Sequence, residues 1–353
     1  MRIGLIDYNS KIVNLAIMKL SSFYKSQGHE VVLNPSSPEG LDKTFVSIIF
    51  AKDKDKAVSM YKDFPCVSFG GTGYDITVKL PSEIESLHPD YNLYQWEDIF
   101  TRISSRVSKK ENVVVKAHEI VNAGIGFITR GCVNTAKTCP WCVVPVKEGP
   151  MQRVNEVSDL INPRSNKVII LDNSLPAHPD ALEILIEIKE RKLVVDITQG
   201  IDVRRLTPEI AIALSQIKHW RSVHYAWDQV IAERSVLKGI DMLSQFVTKS
   251  KHLCYLLCGF NSSFEEDMHR ILTLRDIGIR PYVMKYQRPD ETYDKSDVRT
   301  EYAQIRLNHL ARWVNAPAAL YKTVPFKEYS NWIAAQAKLP GAVGASQQEL
   351  VFI

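Results

Sequence analysis

The chain has 353 residues, 45% of them hydrophobic and 24% charged, and 44 Lys and Arg against 40 Asp and Glu leave a net charge of +4. At roughly 150 residues per domain, this length predicts two domains with enough apolar material for a core that needs no disulfide staples. The composition excludes collagen-like, disordered and disulfide-framework chains, and its totals show neither a strongly basic nucleic-acid footprint nor an acidic tail.

The first residues, MRIGLIDYNSKIVNLAIMKL, carry Asp7 and Asn9 and no small-residue cleavage site, so they do not read as a signal peptide. No stretch of about 18 uncharged apolar residues predicts a membrane span. A cytoplasmic chain is expected, in which thiols stay reduced. RIGLID (2–7) reads as a strand, followed by a helix with Ile12, Leu15, Ala16, Leu20 and Phe23 at helical spacing and Gly28 as its stop. HEVVLN (29–34), TFVSIIF (44–50) and CVSFGG (66–71) read as three more strands. This alternation predicts a Rossmann-like α/β domain over 1–105 with a doubly wound parallel sheet. The charged stretch 101–117 reads as an irregular join.

A longer rhythm follows. GIGFITR (124–130), KVIILD (167–172), LVVDITQG (193–200), SVHYAW (222–227), HLCYLLCGF (252–260) and RPYVMKY (280–286) read as six strands with helices between them. One helix is signalled by Thr207-Pro208, another by Ser263 with Glu265, Glu266 and Asp267 in its first turn. Six βα units predict a partial (β/α)6 barrel of the TIM type over 118–295, with its chemistry at the C-terminal ends of the strands. A helical C-terminal extension over 296–353 completes the reading.

Six cysteines need an explanation other than disulfides, and three of them, Cys132, Cys139 and Cys142, lie within eleven residues just after the first barrel strand. A structural zinc site wants four ligands, usually as two close pairs; here there is one close pair, one further cysteine and no second CxxC or HxxxH. Three thiolates on a cubane iron–sulfur cluster would leave one iron open for a reactant. Three unrelated core cysteines are the plain alternative, although buried thiols do not usually gather on one polar loop.

The stretch RGCVNTAKTCPWCVVPVKEG resembles the cluster loop of radical S-adenosylmethionine (SAM) enzymes. It is closest in pattern to the branch that includes methylthiotransferases and proteins with a cobalamin-type N-terminal domain. The spacer between its first two cysteines is six residues, where the family usually has three. The resemblance, over about residues 122–315, implies a [4Fe–4S] cluster on Cys132, Cys139 and Cys142 with SAM at the barrel mouth. It further implies SAM contacts from Leu171-Asp172-Asn173-Ser174, from Gln199 with Asp202 and Arg204, and from Gly259 in Cys258-Gly259-Phe260-Asn261. Trp141, between two ligands, would pack on the cluster, shield the adenine or plug the barrel mouth. Such an enzyme cleaves SAM reductively and needs an electron donor such as a flavodoxin or ferredoxin. Asp172 and Asn173 can equally end a strand, Asp202 and Arg204 can be an ion pair, and Asp228 can touch substrate or cap a helix.

IGLIDYNSKIVNLAIMKLSSFYKSQGHEVVL and FGGTGYD are similar to the cobalamin-binding domain that precedes some of these barrels. Residues 7–14 contain no histidine to serve as a lower ligand, so cobalamin is not expected. Gly70, Gly71 and Gly73 fit close approach to a ligand or a tight turn. Cys66, Cys254 and Cys258 read as core. A small molecule or nucleoside is the expected substrate, with a tRNA, a peptide or a non-catalytic metal-binding scaffold as alternatives. Nucleic acid is not indicated by net charge, and the cluster of Arg270, Arg275, Arg280, Lys285, Arg288, Tyr282 and Tyr286 reads mostly as a solvated face.

Overall fold

A computed structural model describes residues 1–104, 110–286, 304–317 and 319–336, so Arg288 and the start of the expected C-terminal extension lie outside the described residues. Strands β1 (Arg2–Tyr8), β2 (Glu30–Leu33), β3 (Lys43–Ile48) and β4 (Val67–Gly70) form a parallel sheet in the order β2-β1-β3-β4. The helix Leu15–Ser26 crosses from β1 to β2. Asn14 starts it by accepting from the amides of Ala16 and Ile17, and Ile17, Met18, Leu20 and Tyr24 form its buried stripe.

The stretch expected to be an irregular join is instead largely helical. Trp96–Ile103 and Lys110–Asn122 are helices, the second burying Val113, Ala117, Ile120 and Val121 at helical spacing. Its charges are interleaved with that stripe and hide it in the sequence. The stripe packs in one cluster with Ile17 and Tyr94 on one side and Ile125 and Ile169 on the other, so the two halves of the chain share a core.

Beyond it come β5 (Gly124–Gly126), β6 (Thr129–Arg130), β7 (Gln152–Arg153), β8 (Lys167–Ile170), β9 (Val194–Ile197), β10 (Lys218–His219), β11 (Val223–Ala226), β12 (His252–Cys258) and β13 (Arg280–Lys285). The single strand expected over 124–130 is broken. β5 runs parallel to β8, while β6 turns away to pair antiparallel with β7. β10-β9-β8-β5 and β11-β12-β13 are parallel sheets, and a bridge from Ile201 to Tyr225 joins them, with the Ile201 amide 2.7 Å from the His224 carbonyl. The strand expected over 222–227 is β11, paired parallel with β12, and a short strand β10 ahead of it pairs with β9. The fold is mixed α/β with parallel sheets.

Alternate residues of these strands, among them Val195, Ile197, Tyr225, Cys254, Leu256 and Cys258, pack against the helices Ala181–Glu190, Pro208–Gln216, Glu233–Ser244, Phe264–Asp276 and Gln304–Asn315. Cys254 and Cys258 are therefore core thiols, whereas Cys66 is half-buried. The two free edges of the arc are met by side chains. The Ile125 amide donates to the Tyr91 hydroxyl (3.1 Å), which donates to the Leu160 carbonyl (2.8 Å). The Asn315 amide group accepts from the Val283 N–H (2.8 Å) and donates to its carbonyl (2.9 Å).

Candidate metal centre and cofactor site

The cysteine loop begins at Gly131, where φ is +81°. A Cβ there would lie 2.3 Å from the Pro150 carbonyl oxygen, so only glycine lets the chain double back against 149–150. The Cys132 amide reaches the Gly149 carbonyl (3.4 Å), and the Gly131 amide donates to Glu148 Oε2 (3.1 Å). Within the six-residue spacer the amides of Thr138 and Cys139 both donate to the Thr135 carbonyl, which coils the extra length into one turn. The Cys142 amide closes back on the Cys139 carbonyl (3.0 Å), and the Asn134 amide donates to the Cys132 sulfur (3.4 Å).

All three thiols are half-buried. Burial first, and then the neighbouring Cys142, Asp228 and Cys132, push the Cys139 thiol up to about 11, while Arg204 pulls it down. Cys142 is raised by burial and by Cys132, Asp228 and Glu148 against the Val144 amide. Three thiolates here repel one another, and ionising them together requires a cationic partner. Among the described residues no three His, Cys, Asp or Glu side chains converge as the ligands of one metal ion. The loop offers three thiols where a structural tetrahedral zinc takes four ligands, a donor set that matches a cubane with one open iron.

The loop meets the ends of three strands. Past β8, Asn173 donates to Glu148 Oε2 (2.9 Å), the oxygen that also takes the Gly131 amide. Past β9, Asn134 reaches Asp202 (3.4 Å), and Asp202 holds Arg204 through two bonds of 2.7 Å. Burial raises the Asp202 carboxyl, but Arg204 and Asn134 outweigh it and hold the group below its ordinary range. Past β12, Phe260 packs edge-on against Trp141 at 5.5 Å and against Tyr286 at 4.6 Å. The Gly259 amide donates to Asp267 (3.1 Å). Asp228, at the end of β11, is pushed up to about 6, chiefly by burial and against the pull of Arg270 and Arg204.

Two of the expected contact residues sit in different surroundings. Asp172 is fully buried and does not face the mouth; its oxygens accept from the Ile128 amide (2.8 Å), the Thr129 amide (2.7 Å) and the Thr129 hydroxyl (2.7 Å). It anchors the segment leading into the cysteine loop, and burial pushes its carboxyl up to about 6. Gln199 is exposed, whereas the loop reaches this strand end at Asp202. Glu148 and Asn134 carry contacts that motif reading passed over. The Lys-Glu-Gly after the cysteines was the available signal for Glu148; Asn134 lay in the variable spacer and offered none.

Arg270 corrects the expectation of a solvated basic face. It is fully buried, pairs with buried Asp267, and donates to the carbonyls of Trp227 (2.6 Å) and Leu257 (2.8 Å). Tyr282 is buried, Lys285 is tied to Asn308 (2.9 Å), and Arg275 pairs with Asp276 (2.8 Å). In the turn after β4, a Cβ on Gly71 or Gly73 would lie 2.4 Å or less from the backbone of Ile48 or Phe50, so these glycines serve the packing of the turn.

No helix among the described residues is long and apolar enough to cross a membrane. No protein-family model matches the sequence, and no curated protein matches it. Among solved structures, the chain is similar to Streptococcus suis SuiB bound to S-adenosylmethionine, at 13% identity and a TM-score of 0.35, covering 74% of this chain and 65% of that one. SuiB alone and SuiB bound to the precursor peptide SuiA give the same identity and TM-score, with coverages of 74% and 64%, and of 69% and 65%. The chain thus spans a little under two thirds of the length of SuiB.

Proposed function

We propose that this chain is a radical SAM enzyme whose arc of six parallel strands is a partial (β/α)6 barrel behind a Rossmann-like first domain. The observation that carries the reading is the loop bearing Cys132, Cys139 and Cys142, which is tied to three strand ends at the C-terminal side of one parallel arc. These cysteines would hold a [4Fe–4S] cluster. With SAM bound beside it, such a cluster would supply the electron for reductive cleavage of SAM.

The chain's own residues orient and exclude. Asn173, Asp202 and Arg204 offer hydrogen-bonding groups for the amino, carboxylate and ribose parts of SAM, and the Gly259 segment offers backbone. Trp141 and Phe260 form an aromatic wall that keeps water from the radical. Asp172 holds the start of the loop in place. Cobalamin has no part in this reading, and the electron donor is proposed as a flavodoxin or ferredoxin.

For the substrate we favour a peptide over a small molecule or nucleoside. Val133 (41% exposed) and Val146 (65%) flank the cysteines in sequence, and Ile231 (91%) follows β11. A contiguous apolar patch formed by such residues beside the site would suit a chain-like partner. A nucleic acid loses its support with Arg270 and Tyr282 buried and Lys285 and Arg275 paired.

The test is anaerobic reconstitution of wild type and of Cys132→Ala, Cys139→Ala and Cys142→Ala, followed by SAM and dithionite. Wild type should bind close to four irons and release 5′-deoxyadenosine, whereas each variant should lose the cluster and the product. Full iron in any of the three variants would sink the reading.

A further inference from the structure

Both ends of the cysteine loop are gripped by the first domain. At the start, Arg130, two residues before Cys132, lies 3.1 Å from Glu85. Glu85 is itself held by Lys19 (3.0 Å), whose side chain is only 6% exposed and whose ammonium also donates to the Glu85 carbonyl. At the finish, Lys147, five residues after Cys142, donates to the Thr72 hydroxyl. Thr72 sits in the Gly70–Gly73 turn, where Gly71 and Gly73 pack so closely on the backbone of Ile48 and Phe50 that no side chain fits. Each grip therefore runs from a packed point beside the N-terminal sheet to one end of the loop. Between the grips the loop, with its six-residue spacer, is ordered by its own turn at Thr135, by Asn134 on Asp202 and by Trp141 on Phe260.

We propose that the first domain acts as a clamp that fixes the spacing of Cys132, Cys139 and Cys142, with Glu85 and Thr72 as positioning residues. This rests on the reading of those cysteines as cluster ligands. It gives the Gly-rich turn and the acidic residue at the end of the short helix Ser82–Glu85 a task that involves no second cofactor. A buried ammonium and a guanidinium sharing one carboxylate make the first grip geometrically strict, since moving Glu85 disturbs both partners. The second grip pairs a half-buried ammonium with a neutral hydroxyl, so it orients Lys147 without neutralising it.

The test has two arms, on Glu85→Ala, Thr72→Val, Arg130→Met and the conservative Arg130→Lys. In the metal-free protein, the rate of alkylation of each cysteine is followed by peptide mass spectrometry, with Cys66 as internal reference. In the reconstituted protein, iron release to a chelator and the electron paramagnetic resonance line shape of the reduced cluster are followed. Glu85→Ala, Thr72→Val and Arg130→Met should each raise alkylation of the loop cysteines and iron release at least several-fold and broaden the line shape, with Cys66 unchanged. Arg130→Lys should restore wild-type behaviour. Wild-type rates in Thr72→Val and Arg130→Met would overturn the clamp, and so would a rise at Cys66 in step with the loop, which signals general loosening. A wild type that takes up no cluster would defeat the reading of function, while the alkylation arm still decides whether the loop is clamped.

Discussion

Two strand-end sites of this molecule occupy equivalent places in their sheets and are used in opposite ways. At the end of β1, Asp7 accepts from Tyr94 (2.7 Å), Arg102 (2.5 Å), Asn14 (3.2 Å) and Ser10, and its side chain is wholly buried. Every acceptor position is taken by the protein itself. At the ends of β8, β9 and β12, by contrast, Asn173, Arg204 and the Trp141–Phe260 pair adjoin a loop with three half-buried thiols, of which Cys139 and Cys142 are raised chiefly by burial. In an α/β fold the strand ends are where ligands bind. The difference teaches that position alone does not make a site: what counts is how much bonding capacity the fold leaves unspent there.

The sharpest way to break this comparison is at the closed site. Arg102→Met strips the cation from a buried carboxylate and should cost about 3–5 kcal/mol of stability, read from denaturant midpoints at unchanged slope. A loss below about 1 kcal/mol would mean that Asp7 is served well enough by its neutral donors.

Asp172 offers a smaller effect, with a defined sign. Its native carboxyl, at about 6 against an ordinary 3.8, binds its proton more tightly than the unfolded chain does. Stability should therefore fall as pH rises from about 4 through about 6, by up to about 3 kcal/mol at 1.36 kcal/mol per unit. Asp172→Asn should lack that part of the slope; parallel stability–pH curves for the two proteins would show that its three donors already favour the charged form.

The smallest stability effect belongs to the open site. Arg204, with about a third of its side chain exposed, pairs with Asp202. Arg204→Ala should change unfolding stability by less than about 1 kcal/mol. SAM affinity in the reconstituted protein should nevertheless fall about tenfold, the equivalent of about 1.4 kcal/mol. A variant that loses stability but keeps affinity would place Arg204 with the structural pairs.

The strands were legible because each is a short apolar run between turn residues, and the cysteine loop because its residue types are rare in combination. The helix Lys110–Asn122 was not, since its four buried residues are diluted by Lys, Glu and His. Arg270 was misread because arginine is usually solvated. Yet Asp267 and Arg270 are three apart on one helix, and Arg270 adjoins Ile271 and precedes Leu274 on the buried stripe, a pattern that marks a paired internal charge. Asp172 could be placed at a strand end, but which way its carboxylate turns depends on amides 43 and 44 residues earlier, and no local pattern encodes that.

The side chains at the arc's two margins bear on what its flanks offer to another chain. A row of strands that does not close into a ring exposes unpaired amides and carbonyls at both flanks, the template on which fibrils and swapped dimers grow. Here one phenol and one carboxamide, Tyr91 and Asn315, take up that backbone, and the carboxamide engages the N–H and the carbonyl of a single residue much as a further strand would. An incoming chain finds those hydrogen bonds already made. At the Ile125 amide and at Val283 the flanks of the open curve thus hold no free backbone group for a further strand.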